Sequence, residues 1–283
     1  MIVWTKQFRY FVMLCVPVLL ELLMIPSVLT TAQAQAKTPT QTASLVRKQQ
    51  SADTRLKQVQ FKPSRDQPSA TMMVGGGRRN DNKCSQDRKA SEQLTQSQSQ
   101  PLDQALTPLL PLPLTNLQLT VSTHPTFLVY VPQSSAKALE FTLFTQDQDN
   151  SEQGIYQTTV DLTSTPGIIS ISLPSTEPPL EMGKDYKWMV TMSCHSEGPT
   201  PEDPFAEGLI RRIQPDSALS QLDKAKPLDR VAVYAKAGFW YEAIANLAAL
   251  RQSRPTDPNV ASAWKELLES VGLNAIANAP LKN

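Results

Sequence analysis

The sequence predicts an α+β protein in which a seven-stranded antiparallel β-sandwich is followed by an α-helical region. Two observations carry this prediction. From residue 117 to residue 213 the chain consists of short runs in which every second residue is apolar, which is the period of a half-buried strand. From residue 216 onward, apolar residues recur at steps of three and four, which is the period of a helix. The predicted boundaries are 101–215 for the sandwich and 216–283 for a helical subdomain packed on it.

Seven runs bounded by turn-forming residues are the predicted strands. Within a run the apolar residues share one parity, as in Leu139, Phe141 and Leu143, so each strand would bury one face. The connections are rich in Pro, Gly, Asp and Asn, which favour turns. So many short strands in about one hundred residues are typical of a sandwich of immunoglobulin or fibronectin type. The predicted strands are 117–121, 126–131, 138–145, 154–162, 167–173, 185–194 and 205–213.

The sixth run contains the clearest core markers. Tyr186 and Trp188 point to the same side of this strand, and Cys194 follows on that side near its end. Two aromatic rings that enter a sandwich core cover a large apolar area. Tyr186 and Trp188 are therefore predicted core residues, and Cys194 is predicted at the edge of the core rather than as an exposed nucleophile.

Four helices are predicted after the last strand. Asp216 would cap the first, Pro227 suits the first turn of the second, and Gly238 would end it. In the last helix Trp264 lies among apolar residues at three- and four-residue steps, which makes it a core marker. The predicted helices are 217–225, 227–237, 239–252 and 259–271.

One part of the helical region carries a pattern of small residues and aromatics that ends in a proline. Its members are Tyr234, Gly238, Trp240, Ala243, Leu247 and Pro255. This pattern resembles the second half of a tetratricopeptide repeat, although the usual glycine is Val231 here. About three repeats are needed for an independent solenoid, and a single copy is visible. The resemblance therefore implies a helical hairpin packed on the sandwich, with Trp240 in its core, and not a peptide-binding array.

The N-terminus resembles an export signal. A short basic start precedes an apolar stretch over 10–29 and an Ala-x-Ala site, with cleavage after Ala34 or Ala36. We therefore expect residues 1–36 to be a signal peptide and the mature protein to be periplasmic or extracellular. The alternative is an N-terminal membrane anchor, because the apolar stretch approaches the roughly 20 residues that span a bilayer.

Residues 37–100 are predicted to form a disordered, basic tail rich in Gln and Ser. They contain one aromatic residue, Phe61, and 12 Lys and Arg against five Asp and Glu. So few apolar side chains do not offset the entropy lost when a chain is ordered. Residues 101–283 have the opposite balance, with 13 basic and 20 acidic residues. The tail is expected to be a solvated spacer, with binding to an anionic polymer or lipid as the alternative.

Two cysteines, Cys84 and Cys194, remain after removal of a signal peptide. In an oxidising compartment an even number of cysteines predicts a disulfide, which would attach the tail to the sandwich. Free thiols are one alternative. A zinc site that adds His124 and His195 is another, but adjacent strand residues point to opposite faces, so Cys194 and His195 would not easily share a metal. No metal and no cofactor is expected.

The composition and motifs argue against several function classes. A formal net charge of +1 argues against a dedicated nucleic-acid binder. Two histidines leave few general bases and metal ligands, and His124 and His195 are both expected at the rims of strands. No nucleophile elbow, zinc-protease motif or dinucleotide fingerprint is present in the sequence. The carboxylate pairs Glu177 with Glu181 and Glu202 with Asp203 lie in Pro-rich loops, where solvated acids are the ordinary case. Arg211 and Arg212 are expected at a solvated strand end, with contact to a phosphate or a carboxylate as the alternative.

A series of short motifs runs through most of the chain. Its members are 75–79 with Cys84, 122–127, 130–132, 165–169, 173–174, 186–188, 207–212, 234–243 and 268–273. With these motifs the chain resembles the cyanobacterial family called domain of unknown function 928. The resemblance implies an exported cyanobacterial protein, and it implies no activity because none is assigned to that family.

Together these features predict a non-catalytic interaction or scaffold module of the cell envelope. Its expected partner is another envelope or exported protein, and no nucleic acid. The alternatives are a hydrolase that acts on envelope polysaccharide or peptide through loop carboxylates, and a module that binds a small ligand or a polysaccharide. Fold class alone does not separate these alternatives. The sequence does not predict an oligomeric state.

Overall fold

The computed structural model describes residues 58–64, 84, 87, 105–113, 117–146, 151–215, 219 and 222–282. Its strands are β1 (Thr107–Pro108), β2 (Gln118–Thr120), β3 (Thr126–Val131), β4 (Ala138–Gln146), β5 (Glu152–Asp161), β6 (Gly167–Ser172), β7 (Asp185–Ser193), β8 (Phe205–Arg212) and β9 (Leu281–Lys282). Its helices are α1 (Pro227–Ala237), α2 (Trp240–Ser253) and α3 (Pro258–Glu269), and short 3-10 turns cover Leu222–Lys224 and Asn274–Ile276.

The strands form two sheets. One has the order β1-β3-β6-β9 and the other β2-β8-β7-β4-β5. Most neighbours are antiparallel, but β2 pairs with β8 and β6 pairs with β9 in parallel. Each predicted run overlaps one of the strands β2 to β8, with ends that differ by at most two residues. The prediction of seven antiparallel strands is nevertheless incomplete, because β1 and β9 have two residues each and such short strands show no alternation.

Aromatic rings fill the space between the sheets. The ring of Phe127 on β3 lies 4.9 Å from that of Phe141 on β4 and 5.3 Å from that of Trp188 on β7, measured between centroids. Trp188 is fully buried, and Tyr186 on the same strand is almost so. The face of β7 that carries Tyr186 and Trp188 therefore lies in the core, as the alternation of apolar residues indicated. The phenol oxygen of Tyr186 also has a hydrogen-bond partner, because it accepts from the Glu181 N–H at 2.9 Å.

The three helices begin and end within two residues of three predicted helices. Pro227 and Pro258 open α1 and α3, and the Asp257 side chain caps α3 by accepting from the Asn259 N–H at 2.9 Å. Of the predicted helix over 217–225, the structure shows the 3-10 turn and Leu219. The remaining residues before that turn lie outside the described part of the chain.

Helix α2 packs on the strands through its first turn. The Tyr241 hydroxyl accepts from Trp188 Nε1 at 2.7 Å, and the Tyr241 ring lies 5.6 Å from that of Phe127. Burial raises the pKa of Tyr241, so this phenol stays neutral and keeps its proton. Strand β9 follows the helices and joins the sheet beside β6, so the segment 216–283 is not purely helical.

The residues from which a tetratricopeptide-like hairpin was predicted lie in α1, in α2 and in the turns that follow these helices. Ala243 and Leu247 are buried on α2, and Trp240 and Trp264 are buried as predicted. Tyr234 is partly buried, and Pro255 lies exposed in the turn after α2. Trp264 donates through Nε1 to the Ala277 carbonyl at 3.0 Å, which connects α3 to the chain beyond it.

Parts of the N-terminal region lie outside the described residues. These include the predicted signal peptide, 1–36, and the glycine-arginine run, 75–79. Among the helices that the structure does describe, none has the length and hydropathy needed to cross a membrane. The prediction of a disordered tail differs from the structure at 58–64, which lies against the helices with Val59 and Phe61 buried.

Candidate functional site

An extended segment, residues 58–64, lies on a surface formed by the three helices. We call these residues the docked segment. Its burial alternates, with Gln58 and Gln60 exposed and Val59 and Phe61 buried, which is the pattern of an extended strand with one face against the protein. The helix residues that it contacts are called the docking face: Ala235, Gly238, Trp240, Glu266 and Ser270.

The backbone of the docked segment donates three hydrogen bonds to the docking face. The Val59 N–H donates to Glu266 Oε2 at 3.2 Å, and the Phe61 N–H donates to Ser270 Oγ at 3.0 Å. The Lys62 N–H donates to the Ala235 carbonyl at 3.0 Å. Because the donors are main-chain groups, these bonds are open to any extended peptide whose residues carry an N–H at these positions.

Both side-chain acceptors on α3 are held in place by further hydrogen bonds. Glu266 Oε1 accepts from the Ser262 hydroxyl at 3.0 Å, which leaves Oε2 for the docked segment. Ser270 Oγ donates to the Leu267 carbonyl at 2.7 Å, so its oxygen is available as an acceptor for Phe61. Hydrogen bonds within and just after α3 therefore help to orient both acceptors toward the docked segment.

Phe61 packs against Trp240, the first residue of α2. Its ring meets that of Trp240 edge to face, with centroids 5.1 Å apart and an interplanar angle of 82°. Trp240 is fully buried, and its Nε1 donates to the Leu109 carbonyl at 2.6 Å. That bond helps to hold the indole in the orientation in which it meets Phe61.

Gly238 allows the docked segment to pass the end of α1. Its φ of 85° is a left-handed conformation that favours glycine, and it caps the helix. A Cβ at this position would lie 2.9 Å from the Ser64 nitrogen and 3.3 Å from the Lys62 carbonyl oxygen. Glycine is thus needed here for the turn and for the approach of a second backbone.

Glu242 fixes the start of α2 to the sheet that contains β2. Its Oε1 accepts from the Thr120 hydroxyl, from the Val121 N–H at 2.8 Å and from the Ser122 N–H at 3.0 Å. Oε2 is buried and has no hydrogen-bond partner among the described residues. Burial raises the pKa of Glu242, against the opposing effect of these hydrogen bonds. This attachment determines where Trp240, two residues earlier, meets the docked segment.

The disulfide between Cys84 and Cys194 is present, as predicted, and joins residues 110 positions apart. Both cysteines are buried. Asp87 adds to this attachment, since its carboxylate accepts from the Ser134 hydroxyl at 3.0 Å and from the Ser135 N–H at 3.1 Å. Of the described residues before β1, 58–64 are therefore held at the docking face, and Cys84 and Asp87 are held beside β7 and the loop before β4.

A cleft of about 820 Å³ lies beside the disulfide, with Lys137, His195 and Glu197 in its lining. His195 is half exposed, and its Nδ1 lies 3.8 Å from Asp203 Oδ1. Asp203 is buried and also accepts from the Thr200 N–H at 2.8 Å, which stabilises its own loop. The lining therefore contains charges of both signs. Glu197 is the one carboxylate among the described lining residues, so they do not include a pair of carboxylates.

The other candidates from the sequence make structural contacts. His124 is satisfied on both ring nitrogens, with Nδ1 3.0 Å from the Thr123 hydroxyl and Nε2 2.9 Å from the Glu177 carbonyl. Glu181 pairs with Lys184 at 2.9 Å on the surface. Within the described residues, no group of three or more His, Cys, Asp or Glu side chains is arranged to hold a metal ion.

The two arginines at the end of β8 are not the solvated pair that the sequence suggested. Arg211 forms an ion pair with the buried carboxylate of Asp185. Arg212 Nη1 donates to the Leu180 carbonyl at 2.9 Å. Arg211 thus attaches the first residue of β7 to β8, and Arg212 attaches the loop before β7, because a buried carboxylate and a buried carbonyl both need a donor.

Sequence reasoning missed the docked segment and therefore the docking face. The available signal was the alternation of Val59 and Phe61, followed by Pro63, within a stretch that is otherwise polar. Two apolar residues are too few to predict a strand on their own. Their burial depends on Trp240 and on α3, which lie about 180 to 210 residues further along the chain.

One comparison with known proteins found a match, and a second found none. A family model described as Domain of Unknown Function (DUF928) matches residues 74–281, which include the strands β1 to β9, the three helices and both disulfide cysteines. The docked segment lies before the matched region. No curated protein matches the chain.

Proposed function

The chain belongs to the family described as Domain of Unknown Function (DUF928), and from this premise we propose that it is a non-catalytic protein-binding module. Its recognition surface is the docking face, and its ligand is a segment of a partner protein that binds in an extended conformation. The observation that carries this proposal is the docked segment itself, which the helices hold through main-chain hydrogen bonds and two buried side chains.

This mode of binding separates affinity from specificity. Main-chain hydrogen bonds supply attraction for any extended peptide, and pockets for alternate side chains supply selection. The docking face has both elements, since Glu266, Ser270 and Ala235 accept from the backbone and Trp240 receives an aromatic ring. A tetratricopeptide-like hairpin formed by α1 and α2, on a sandwich of immunoglobulin or fibronectin type, is the fold that we propose for this module.

We place the module in the periplasm or outside the cell. The order of basic, apolar and small residues before residue 37 supports export. The disulfide supports an oxidising compartment, because such bonds persist there and are rare in reducing ones. The proposed partner is therefore another envelope or exported protein.

The test is to remove the docked segment by proteolysis and to measure whether a peptide of the same sequence binds in its place. In the exported chain, residues 37–283, a protease site replaces Gly75–Gly77, so that cleavage leaves the docked segment attached by its docking contacts alone. A fluorescent peptide that spans Lys57–Arg65 is then added after the cleaved fragment has been removed. Saturable binding measured by fluorescence anisotropy supports the proposal.

Two controls define the result. The uncleaved chain is expected to bind the peptide far more weakly, because a tethered segment competes at an effective concentration near the millimolar range. A peptide with serine in place of Val59 and Phe61 is expected not to bind. If the cleaved, folded protein fails to bind the Lys57–Arg65 peptide, the docking face is not a recognition surface and the proposal is wrong.

A further inference from the structure

We infer that the docking face selects extended peptides with an aliphatic residue followed, two positions later, by an aromatic residue, and that the docked segment is the chain's own copy of this ligand class. The inference rests on the proposed function and adds the chemistry of the partner.

The spacing of the two anchors requires an extended ligand. Val59 and Phe61 are both buried, whereas Gln58, Gln60 and Lys62 are exposed. Residues two positions apart share a face in a strand but not in a helix. A helical segment with the same two side chains would turn one of them away from the docking face.

The second anchor position favours an aromatic ring. The Phe61 ring and the buried Trp240 indole meet at an interplanar angle of 82°, and Trp240 Nε1 donates to the Leu109 carbonyl, which orients the indole. An aliphatic side chain would fill part of this space but would lose the edge-to-face contact between rings. The first anchor, Val59, is 3% exposed. Its side chain is therefore shielded from water, and an aliphatic residue suits this position.

The backbone contacts exclude proline at the positions of Val59, Phe61 and Lys62 in a ligand, and they permit it at the position of Pro63. The N–H groups of Val59, Phe61 and Lys62 all donate to the docking face, so a proline at any of these positions would leave an acceptor unpaired. No acceptor for the Gln60 N–H is present among the described residues. Pro63 stands where no donor is needed, just before the chain passes Gly238.

The docked segment competes with any partner segment for the docking face. A partner segment must displace residues 58–64, which are joined to the disulfide cysteine Cys84 by residues 65–83. A short tether keeps the competing segment at a high effective concentration. A partner therefore binds the intact chain only when it carries a better version of the pattern or when it is attached at a second contact.

The experiment is a scan of the fluorescent Lys57–Arg65 peptide on the cleaved chain described above. Replacement of Phe61 by alanine in the peptide is expected to raise the dissociation constant about 100-fold, and replacement by leucine about tenfold. Backbone N-methylation at Phe61 is expected to raise it about tenfold, and N-methylation at Gln60, the matched control, less than twofold.

A second peptide tests the ligand class itself. It keeps only the valine, the phenylalanine and the proline at their spacing, with serine at the other positions, and it is expected to bind within fivefold of the Lys57–Arg65 peptide. The inference is overturned if this peptide does not bind while the Lys57–Arg65 peptide does, or if alanine at Phe61 has no effect. Those outcomes leave the proposed function intact, whereas failure of every peptide to bind removes both.

Discussion

The Phe61 N–H donates to the Ser270 hydroxyl across 209 positions of sequence. Ser270 is the residue that follows α3, and Phe61 lies before the first strand of either sheet. This single contact joins the N-terminal part of the described chain to its last helix. Since Ser270 also donates to the Leu267 carbonyl, its oxygen is aimed at the incoming backbone. Recognition of the segment therefore depends on how α3 ends.

Replacement of Ser270 by alanine is expected to loosen the docked segment without unfolding the protein. The variant removes the acceptor of the Phe61 N–H, and one neutral hydrogen bond contributes about 1 kcal/mol. Hydrogen exchange of the Phe61 amide should therefore accelerate about fivefold. Ser253→Ala is the matched control, because Ser253 makes the same type of bond to the carbonyl three residues earlier but is exposed. Equal exchange at Phe61 in both variants would show that Ser270 does not hold the segment.

Removal of the disulfide is expected to lower the thermal stability of the whole body. The bond closes a loop with a sequence separation of 110, for which chain entropy predicts up to about 4–5 kcal/mol of stabilisation. The double variant Cys84→Ala with Cys194→Ala should unfold roughly 10 °C lower than the oxidised chain in calorimetry. Reductant should lower the melting temperature of the natural chain to that of the variant and leave the variant unchanged. A natural chain that melts at the same temperature with and without reductant would contradict this account.

The sequence predicted the longer strands well, because the alternation of their apolar residues is a local signal. Strand β4 illustrates this: its buried residues alternate with half-buried ones, and the predicted run 138–145 ends within one residue of the observed strand. The two-residue strands β1 and β9 were missed since their pairing comes from neighbours in space. The parallel pairing of β2 with β8 likewise has no local signal.

The docked segment and the residues that support the docking face were harder to predict because their contacts depend on distant partners. A glutamate in the first turn of a helix is ordinarily a surface residue that favours the helix dipole. Glu242 is instead buried, because Thr120, Val121 and Ser122 turn two N–H groups and a hydroxyl toward it. Phe61 was assigned to a disordered tail for the same reason, since its partner Trp240 lies far along the chain.

Stability is expected to fall as pH rises through the titration of Glu242. Burial raises the pKa of this carboxyl in the folded protein above the ordinary value near 4.5, so the folded state holds the proton more tightly than the unfolded state. Its contribution is fully present below the unfolded pKa and is lost as pH rises through the raised folded pKa. Glu242→Gln stays neutral at every pH and removes this dependence.

The measurement is urea unfolding of the natural chain and of Glu242→Gln from pH 4.5 to pH 8. The free energy of unfolding of the natural chain should decrease relative to that of the variant as pH rises. Glu269→Gln is the control, because Glu269 lies on the surface of α3 and pairs with Lys265 at 3.7 Å. A difference between the natural chain and Glu242→Gln that does not change with pH would show that Glu242 titrates as an ordinary carboxyl.

Replacement of Gly238 by alanine is expected to weaken the docked segment as well as the end of α1. Two costs add at this position. A residue with a Cβ is strained at a φ of 85°, which costs on the order of 1–2 kcal/mol, and the Cβ would also lie 2.9 Å from the Ser64 nitrogen. Gly183→Ala carries the first cost alone, because Gly183 has a φ of 75° and nothing within 4 Å of an added Cβ.

A double-mutant cycle separates the two costs at Gly238. In the natural chain, Gly238→Ala should destabilise by more than Gly183→Ala, as measured by urea unfolding. When Val59 and Phe61 are both replaced by alanine, the segment is released and the contact with Ser64 disappears, so the cost of Gly238→Ala should fall to that of Gly183→Ala. Residues in contact show such coupling, whereas independent sites are additive. A cost at Gly238 that is the same in both backgrounds would mean that the backbone of the docked segment does not press on the end of α1, and the close approach that defines this edge of the docking face would be wrong.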